Sequence, residues 1–278
     1  MAWLHQLLGS ESPKLDRPVR AVTGYLMQRT RLFEKVMIRR DGYLLPFFSS
    51  SNIALTYWVS PDFIDPTEQF VRSILRPGDV FIDVGANVGT VASVAARLVG
   101  PHGKVVAIEP HPRTVENLQQ TVSVNAFGNV VCLEVACGAL SGLASLTDEK
   151  RKDDNNRFDE VGVGVPVRVT TLAEIVRTLA LEKVSLLKID VEGFEGAVLR
   201  GLGREFHRVE AIYIEVIEAN LQQCGDSTAD IISLLQRNGF ACFLISEDST
   251  NLAALSTAAQ LADLSDRLVS VPGNPTLV

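Results

Sequence analysis

Short hydrophobic runs alternate with amphipathic segments through most of the chain. The first run covers residues 80–84, follows the turn residues Arg76-Pro77-Gly78-Asp79 and ends at a glycine, which is the pattern of a strand buried in a parallel sheet. Further strands are predicted at 104–108, 130–135, 184–189, 211–216, 240–245 and, closing the edge of the sheet, 268–271. Helices are predicted at 67–75, 88–99, 113–125, 172–181, from about 195, and at 228–238. Strands that alternate with helices predict an α/β fold with a doubly wound, mostly parallel sheet of seven strands.

The two ends of the chain do not follow this alternation. Residues 1–66 contain a predicted helix at 18–35 and a hairpin at 38–44, with Asp41-Gly42 as its turn. We therefore divide the chain into an N-terminal extension, residues 1–66, and one α/β domain, residues 67–278. The predicted role of the extension is to contact the substrate or a second subunit. The Ala-rich segment 252–264 is predicted to form a short helix.

A long polar segment, residues 147–157, lies between a strand end and the strand-like residues 161–169. We predict a loop at the tip of a hairpin. Loops at the carboxyl ends of strands surround the ligand in doubly wound sheets, so one interpretation is a lid over the site. The other interpretation is a solvated insertion without a function.

The composition excludes several classes of protein. The chain has 278 residues, of which 46% are hydrophobic and 21% charged, as in ordinary globular domains. The formal net charge is −7 and no basic tract occurs, so we expect neither nucleic acid nor an anionic membrane as a partner. No apolar stretch reaches the roughly 20 residues of a membrane-spanning helix, and the first residues do not resemble a secretory signal. We expect a cytoplasmic location.

Four cysteines are present: Cys132, Cys137, Cys224 and Cys242. They form no C-x-x-C pair, and no histidine stands beside them at the spacing of metal ligands. We therefore predict mostly buried thiols and neither a zinc site nor a disulfide framework.

The turn after the first predicted strand carries the most informative chemistry. Gly85 and Gly89 allow a sharp turn and a close approach to a ligand, and amides at a helix start favour a polar or anionic group. Asp83, however, stands two residues before Gly85, where its carboxylate would repel a pyrophosphate and attract an ammonium or sulfonium. We therefore predict a cationic ligand near this turn. The simpler alternative is a tight turn with an incidental aspartate.

The same turn does not match the common phosphate-binding motifs. In the register of G-x-G-x-x-G, Asn87 replaces the second glycine and Thr90 the third, and the Gly-Lys-Ser/Thr of a P-loop is missing. A dinucleotide-dependent oxidoreductase therefore stays only as an alternative. A third hypothesis is a non-catalytic module that has kept the fold to bind another protein.

An acidic residue ends the second predicted strand as well. Glu109 stands 24 positions after Gly85, where a carboxylate can accept hydrogen bonds from both hydroxyls of a ribose. His111 follows shortly afterwards and either flanks the nucleoside or lies on the surface. Together with the first turn, Glu109 predicts a site for one nucleoside.

The fourth predicted core strand ends in charged residues. Lys188, Asp190 and Glu192 alternate with apolar residues, so their side chains share one face for as long as the strand persists. Unpaired charges on an interior strand are unfavourable, which suggests that they face a cleft. The alternative is an ion pair of Lys188 with Asp190 or Glu192 that only shapes the loop.

Four segments together resemble the FkbM family of class I methyltransferases: residues 81–89, 108–112, 170–172 and 187–195. The similarity spans about residues 77–245. It implies a Rossmann-like methyltransferase domain with S-adenosyl-L-methionine as the cofactor. It also implies transfer of the methyl group to a hydroxyl oxygen of a small-molecule acceptor, such as a sugar, a polyketide or another secondary metabolite.

The resemblance also assigns roles to residues. Those implied to bind the cofactor are Asp83, Gly85, Ala86, Asn87, Gly89, Glu109, His111 and Ala136. At the end of the third strand, around Ala136, the contact with adenine is implied to be made partly by the backbone.

Three residues of the fourth strand are the catalytic candidates. Asp190 or Glu192 is predicted to take the proton of the acceptor hydroxyl or to hold the acceptor, with Lys188 tuning their charge. In an alternative, a divalent metal acidifies the acceptor with Asp190 and Glu192 as oxygen ligands, but no further ligand can be named and no metal site is assigned. A homodimer is expected, although no motif supports it.

Overall fold

The structure is a computed structural model that describes residues 17–30, 36–147 and 164–245, together with the backbone of 252–254 and 265–272. The helices are α1 (Pro18–Arg29), α2 (Asn52–Val59), α3 (Pro66–Ile74), α4 (Thr90–Val99), α5 (Pro112–Val124), α6 (Leu172–Thr178), α7 (Glu195–Leu202), α8 (Glu218–Gln223) and α9 (Thr228–Arg237). The strands are β1 (Met37–Arg40), β2 (Tyr43–Pro46), β3 (Val80–Val84), β4 (Lys104–Ile108), β5 (Val130–Leu133), β6 (Ala136–Cys137), β7 (Gly142–Leu146), β8 (Val165–Thr170), β9 (Leu186–Ile189), β10 (Ile212–Ile217), β11 (Phe240–Ile245), β12 (Leu252–Ala254) and β13 (Ser265–Pro272).

The central sheet has the order β12-β11-β13-β10-β9-β3-β4-β5. The five strands from β10 to β5 are parallel, and helices connect them. The predicted doubly wound α/β fold is therefore confirmed. The chain moves from β3 outward to β5 and then returns to the other side of β3. In sheets of this kind the ligand binds at such a switch point, outside the carboxyl ends of the strands.

The C-terminal part of the sheet differs from the prediction in two ways. The last strand, β13, does not close the edge but lies between β10 and β11, antiparallel to both. The start of the segment predicted as a helix, Leu252–Ala254, is strand β12 and pairs with β11. The sheet consequently has eight strands instead of seven. Backbone pairing with distant strands has overridden the local helix preference of the alanines.

A small second sheet stands beside the cleft. Strands β7 and β8 form the predicted antiparallel hairpin, and β6 pairs with β8 in parallel. Residues 148–163, which include most of the predicted polar segment 147–157, lie outside the described residues, so the lid and the solvated insertion both stay predictions.

The central strands separate two layers of core. Phe81 and Tyr213 lie on the face that packs against α3, α4 and the N-terminal elements from α1 to α2. Ile82 and Leu187 lie on the other face, against α6, α7 and α9. All four side chains are at most 1% exposed, and full burial of such a side chain contributes about 1.5–3 kcal/mol. Because the N-terminal segment shares a core with the sheet, the division at residue 66 stays a prediction.

The N-terminal elements are close to those expected. Helix α1 starts at Pro18, as predicted, but ends at Arg29, because Thr30 is already extended. The hairpin of β1 and β2 turns at Asp41-Gly42, where Gly42 has a φ of 87°. At the other end of the chain, Ser227 caps α9 by accepting a hydrogen bond from the Asp230 amide.

A buried carboxylate joins the N-terminal segment to α3. Glu68 is 3% exposed and accepts hydrogen bonds from the hydroxyls of Tyr43 and Tyr57 at 2.8 and 2.7 Å. The guanidinium of Arg40 lies 3.7 Å from the centre of the Tyr57 ring. Burial raises the pKa of Glu68, and the two tyrosine hydrogen bonds oppose that shift. These contacts fix the segment against the face of the sheet that carries Asp83 and Lys188.

No disulfide links the four cysteines, all of which fall in the described part of the chain. Cys137 and Cys242 are buried, and Cys132 and Cys224 are half-buried. Burial raises the pKa of Cys137 to about 12, so its thiol is unreactive near neutral pH. Among the described helices, none combines the length and the apolar character needed to cross a membrane.

Candidate active site

The turn after β3 approaches the loop after β9 closely. Gly85 has a φ of 79°, which disfavours any residue with a side chain, and a Cβ atom there would collide with the carbonyl oxygen of Asp190. Gly89 also has a positive φ and precedes α4. The need for glycine at position 85 therefore comes from the packing of two loops as well as from the turn itself.

The amides of this turn are used within the protein. Gly85 and Ala86 both donate to the carbonyl oxygen of Ile108 at 3.0 Å, and Asn87 donates to Glu109 Oε2 at 3.1 Å. These three N–H groups are therefore already engaged and are not free to bind a polar or anionic ligand. This agrees with the mismatch to the phosphate-binding motifs.

Glu109 bridges the loops after β3 and β4. Its Oε1 accepts from the amide of His111 at 3.0 Å, while its Oε2 accepts from Asn87. The side chain is 8% exposed, and burial raises its pKa to about 7, opposed by the two amide hydrogen bonds. Each carboxylate oxygen has two lone pairs, so each can still accept one hydroxyl.

A buried ion cluster lies below the turn. The ammonium of Lys188 is 3.1 Å from Asp83 Oδ1 and 3.3 Å from Asp190 Oδ2, and it donates to the carbonyl oxygen of Gly85 at 3.0 Å. Burial alone would lower the pKa of Lys188, but Asp83 and Asp190 together raise it above its usual value. An ion pair between Lys188 and Asp190 is present, with Asp83 as a further partner of Lys188, but whether the pair only shapes the loop stays a prediction.

The loop after β9 departs from strand geometry. The strand ends at Ile189, and Glu192 has a φ of 56°, in the left-handed region that L residues disfavour. The prediction that positions 188, 190 and 192 share one strand face is therefore wrong beyond Ile189. Glu195 holds the loop, because its Oε1 accepts from the amides of Val191 and Gly193 at 3.1 and 3.2 Å. Burial raises the pKa of Glu195 to about 7.

Helix α8 contacts the same loop. Asn220 Nδ2 donates to Glu192 Oε2 at 2.8 Å, and Asn220 is 7% exposed. A Cβ atom at Gly193 would lie 2.6 Å from the carbonyl oxygen of Asn220. The loop after β9 is consequently held by Glu195, which directly follows it in the chain, and by Asn220 of α8.

A cavity of about 200 Å³ opens between these loops, at the carboxyl ends of β3, β4 and β9. Its polar lining residues are Asn87, Glu109, Asp190, Glu192 and Glu215. Its apolar wall includes Ile108, Pro110, Val135, Cys137 and Leu146. One end of the cavity is therefore an apolar slot beside Glu109, and the other end is lined by carboxylates.

The structure brings six of the predicted site residues to this cavity: Gly85, Asn87, Glu109, Ala136, Asp190 and Glu192. Five others do not line it: Asp83, Ala86, Gly89, His111 and Lys188. Asp83 is fully buried and faces Lys188, so the predicted direct contact of its carboxylate with a cationic ligand is corrected. Lys188 and His111 are also buried, at 4% and 3% exposure, and Lys188 is placed to position Asp83 and Asp190 instead of contacting an acceptor.

Sequence reasoning missed three residues around the site. Glu215 lines the cavity from β10, while Asn220 and Glu195 support the loop after β9. Glu215 could have been found, because it is an acidic residue close to the carboxyl end of a predicted core strand. Within the described ranges, no three His, Cys, Asp or Glu side chains are grouped as metal ligands would be.

Comparisons with known proteins find methyltransferases. A family model described as the methyltransferase FkbM domain matches residues 83–242. The hexuronic acid methyltransferase AglP of Haloferax volcanii is 29% identical over 159 residues, which is 56% of this chain and 61% of that protein. Methyltransferase sdnD of Sordaria araneosa is 28% identical over 199 residues, covering 59% of this chain and 74% of that protein.

Among solved structures, the methyltransferase FkbM from Methylobacillus flagellatus is similar, with 13% identity, a TM-score of 0.46, and coverage of 91% of this chain and 59% of that one. The family model covers the β3 turn, the loop after β9 and most of the central sheet, which is more than half of the chain. The chain therefore belongs to the FkbM family of S-adenosylmethionine-dependent methyltransferases.

Proposed function

We propose that this protein transfers a methyl group from S-adenosylmethionine to a hydroxyl oxygen of a small molecule. The observation that carries this proposal is the single cavity that joins an apolar slot beside Glu109 to the carboxylates of Asp190 and Glu192. A nucleoside fits the first part, and an acceptor that must lose a proton fits the second.

The described residues suit the donor. Glu109 offers acceptor lone pairs for two ribose hydroxyls, and the wall of Ile108, Val135 and Leu146 suits a planar base. The carboxylates at the opposite end create a negative environment that favours a sulfonium over a pyrophosphate. When bound, the donor supplies a methyl group that is already activated. The protein's own task is to align the donor with the acceptor, to exclude water and to move a proton.

Glu192 is the better placed of the two candidate bases. The Asp190 carboxylate is held by the Lys188 ammonium at 3.3 Å. Glu192 also lines the cavity and accepts a hydrogen bond from the Asn220 amide. As the bond from the acceptor oxygen to the methyl carbon forms and the carbon–sulfur bond breaks, the hydroxyl proton passes to Glu192. Asp190 is assigned to holding the acceptor.

A carbohydrate is the proposed acceptor class. The name of the archaeal relative AglP specifies a hexuronic acid, which presents several hydroxyls. The cavity is also lined by Asp190, Glu192 and Glu215, whose carboxylates can accept hydrogen bonds from the hydroxyls of a sugar. The predicted homodimer and the predicted role of the N-terminal extension stay proposals.

The proposal is tested by binding first and by transfer second. Isothermal calorimetry with S-adenosylhomocysteine should detect binding at one site, while a nicotinamide dinucleotide should give no heat and no rise in melting temperature. Transfer is then measured with a tritiated methyl donor and a panel of methyl glycosides that includes neutral, acidic and amino hexoses. The proposal is contradicted if the donor does not bind, or if no glycoside of the panel accepts a methyl group.

Donor binding should depend on pH through Glu109. Its carboxyl has a pKa of about 7 in the folded protein, raised by burial, and ribose hydroxyls donate best to its ionised form. At low pH part of the protein carries a protonated Glu109, which must lose its proton before the donor binds. The affinity for the donor therefore rises with pH. The Kd of S-adenosylhomocysteine is expected to fall roughly tenfold between pH 6 and pH 8.

Two variants distinguish the titration of Glu109 from the titration of other groups. Glu109→Gln should bind more weakly and without this pH dependence. Glu195→Gln should keep the dependence, although burial also raises the pKa of Glu195 to about 7. Equal pH dependence in wild type and Glu109→Gln, measured by calorimetry, would show that another group is responsible.

A further inference from the structure

Asn220 is a buried polar residue that touches the loop of the catalytic candidates. It lies in α8, directly after β10, and its side chain is at the same end of the sheet as the cavity. Its Nδ2 donates to Glu192 Oε2 at 2.8 Å. Burying an amide is unfavourable without a partner, so this hydrogen bond accounts for the presence of Asn at a position that is 7% exposed.

The backbone around Glu192 needs external support. Glu192 has a φ of 56°, a left-handed conformation that is unfavourable for an L residue. The neighbouring Gly193 has a φ of 112° and packs directly on the carbonyl oxygen of Asn220. Asn220 therefore contacts the loop twice, through its backbone at Gly193 and through its side chain at Glu192.

The two contacts have different consequences. The backbone contact sets the position of the loop, and it does not depend on the side chain at 220. The side-chain contact holds one carboxylate oxygen of Glu192 and so restricts the direction in which its other oxygen points. Since Glu192 lines the cavity, that direction determines where a proton can be accepted.

We infer that Asn220 is a positioning residue for methyl transfer, which orients the Glu192 carboxylate toward the acceptor hydroxyl. The inference rests on the proposed function, in which Glu192 accepts the proton. It differs from a purely structural role because the effect of the Asn220 side chain then passes through Glu192. Donor binding at Glu109 lies on the other side of β3 and does not depend on Asn220.

The test is a double-mutant cycle of Asn220→Ala and Glu192→Gln in the full chain. Rates are measured with a tritiated methyl donor and the methyl glycoside that gives the highest wild-type rate. Asn220→Ala is expected to lower kcat by roughly 10- to 100-fold, because a small misplacement of a reacting group can have that effect. The KM of the donor and the Kd of S-adenosylhomocysteine should change less than about twofold. In the Glu192→Gln background, Asn220→Ala should change kcat less than about twofold.

Two further variants keep the test decisive. Asn220→Asp has the same shape but lacks the N–H donor and places a like charge beside Glu192, so its kcat should fall at least as far as that of Asn220→Ala. Gln222→Ala removes an exposed amide from the same helix, one that donates to Glu218 instead, and should behave as wild type.

The outcomes separate this inference from the proposed function. A wild-type kcat in folded Asn220→Asp, or an equal loss from Asn220→Ala with and without Glu192, overturns the role of Asn220 while the methyltransferase activity stands. No transfer by the wild-type protein to any glycoside of the panel overturns both.

Discussion

Replacing Glu192 with Gln is expected to lower kcat for methyl transfer by roughly 10²- to 10⁴-fold, the usual contribution of a positioned general base. An aliphatic hydroxyl is a poor nucleophile near neutral pH, and the glutamine amide cannot take its proton. The substitution keeps the shape of the side chain and leaves Glu109 untouched, so the Kd of S-adenosylhomocysteine should stay within about twofold of wild type.

The measurement compares Glu192→Gln with Asp190→Asn under the same conditions. Asp190 is paired with Lys188 and is assigned to holding the acceptor, so its substitution should raise the KM of the acceptor more than it lowers kcat. A larger fall of kcat in Asp190→Asn than in Glu192→Gln would reverse the two roles. Full activity in Glu192→Gln would remove Glu192 from the chemistry.

Replacing Lys188 with Met should destabilise the fold by about 3–5 kcal/mol, because it leaves a buried carboxylate without its partner. Asp83 is fully buried, and the Lys188 ammonium at 3.1 Å is the cation beside it. The same ammonium also holds the carbonyl oxygen of Gly85 and one oxygen of Asp190. The effect is measured as the free energy of unfolding in urea, followed by circular dichroism.

A second substitution distinguishes the lost pair from a simple packing defect. Asp83→Asn combined with Lys188→Met removes both charges, and much of the lost stability should return. Lys183→Met, at an exposed pair with Glu210, should change stability by no more than about 0.5 kcal/mol. If the double variant is as unstable as Lys188→Met alone, the ion pair is not the source of the effect.

The sequence predicted most of the elements between residues 66 and 245, because those elements have a clear periodicity and clear ends, but it missed α8 and the short strand β6. The buried run of β3, the Ser227 cap and the Asp41-Gly42 turn are all local signals. The position of β13 between β10 and β11 is a pairing between distant segments, and nothing in its own residues specifies its neighbours. The same is true of β12, whose alanines favour a helix locally.

Only part of the site was predicted, because local signals identify its acidic residues but not their partners. Glu109 and Glu192 were found because an acidic residue after a core strand indicates the ligand end of the sheet. Whether such a residue faces the ligand or a cation depends on the register of adjacent strands. Asp83 stands opposite Lys188 in the pairing of β3 with β9, and that register places the two charges against each other. Asn220 comes from a helix whose contact with the loop could not be inferred from spacing.

The close approach of Gly85 to the Asp190 carbonyl has a practical meaning for protein engineering. The turn after β3 and the loop after β9 contact each other backbone against backbone, so the conformation of one cannot be changed without displacing the other. A library designed to change acceptor preference should therefore leave both backbones intact. Glu215, which borders the cavity from β10 outside that backbone contact, is a position at which the side chain can be varied instead.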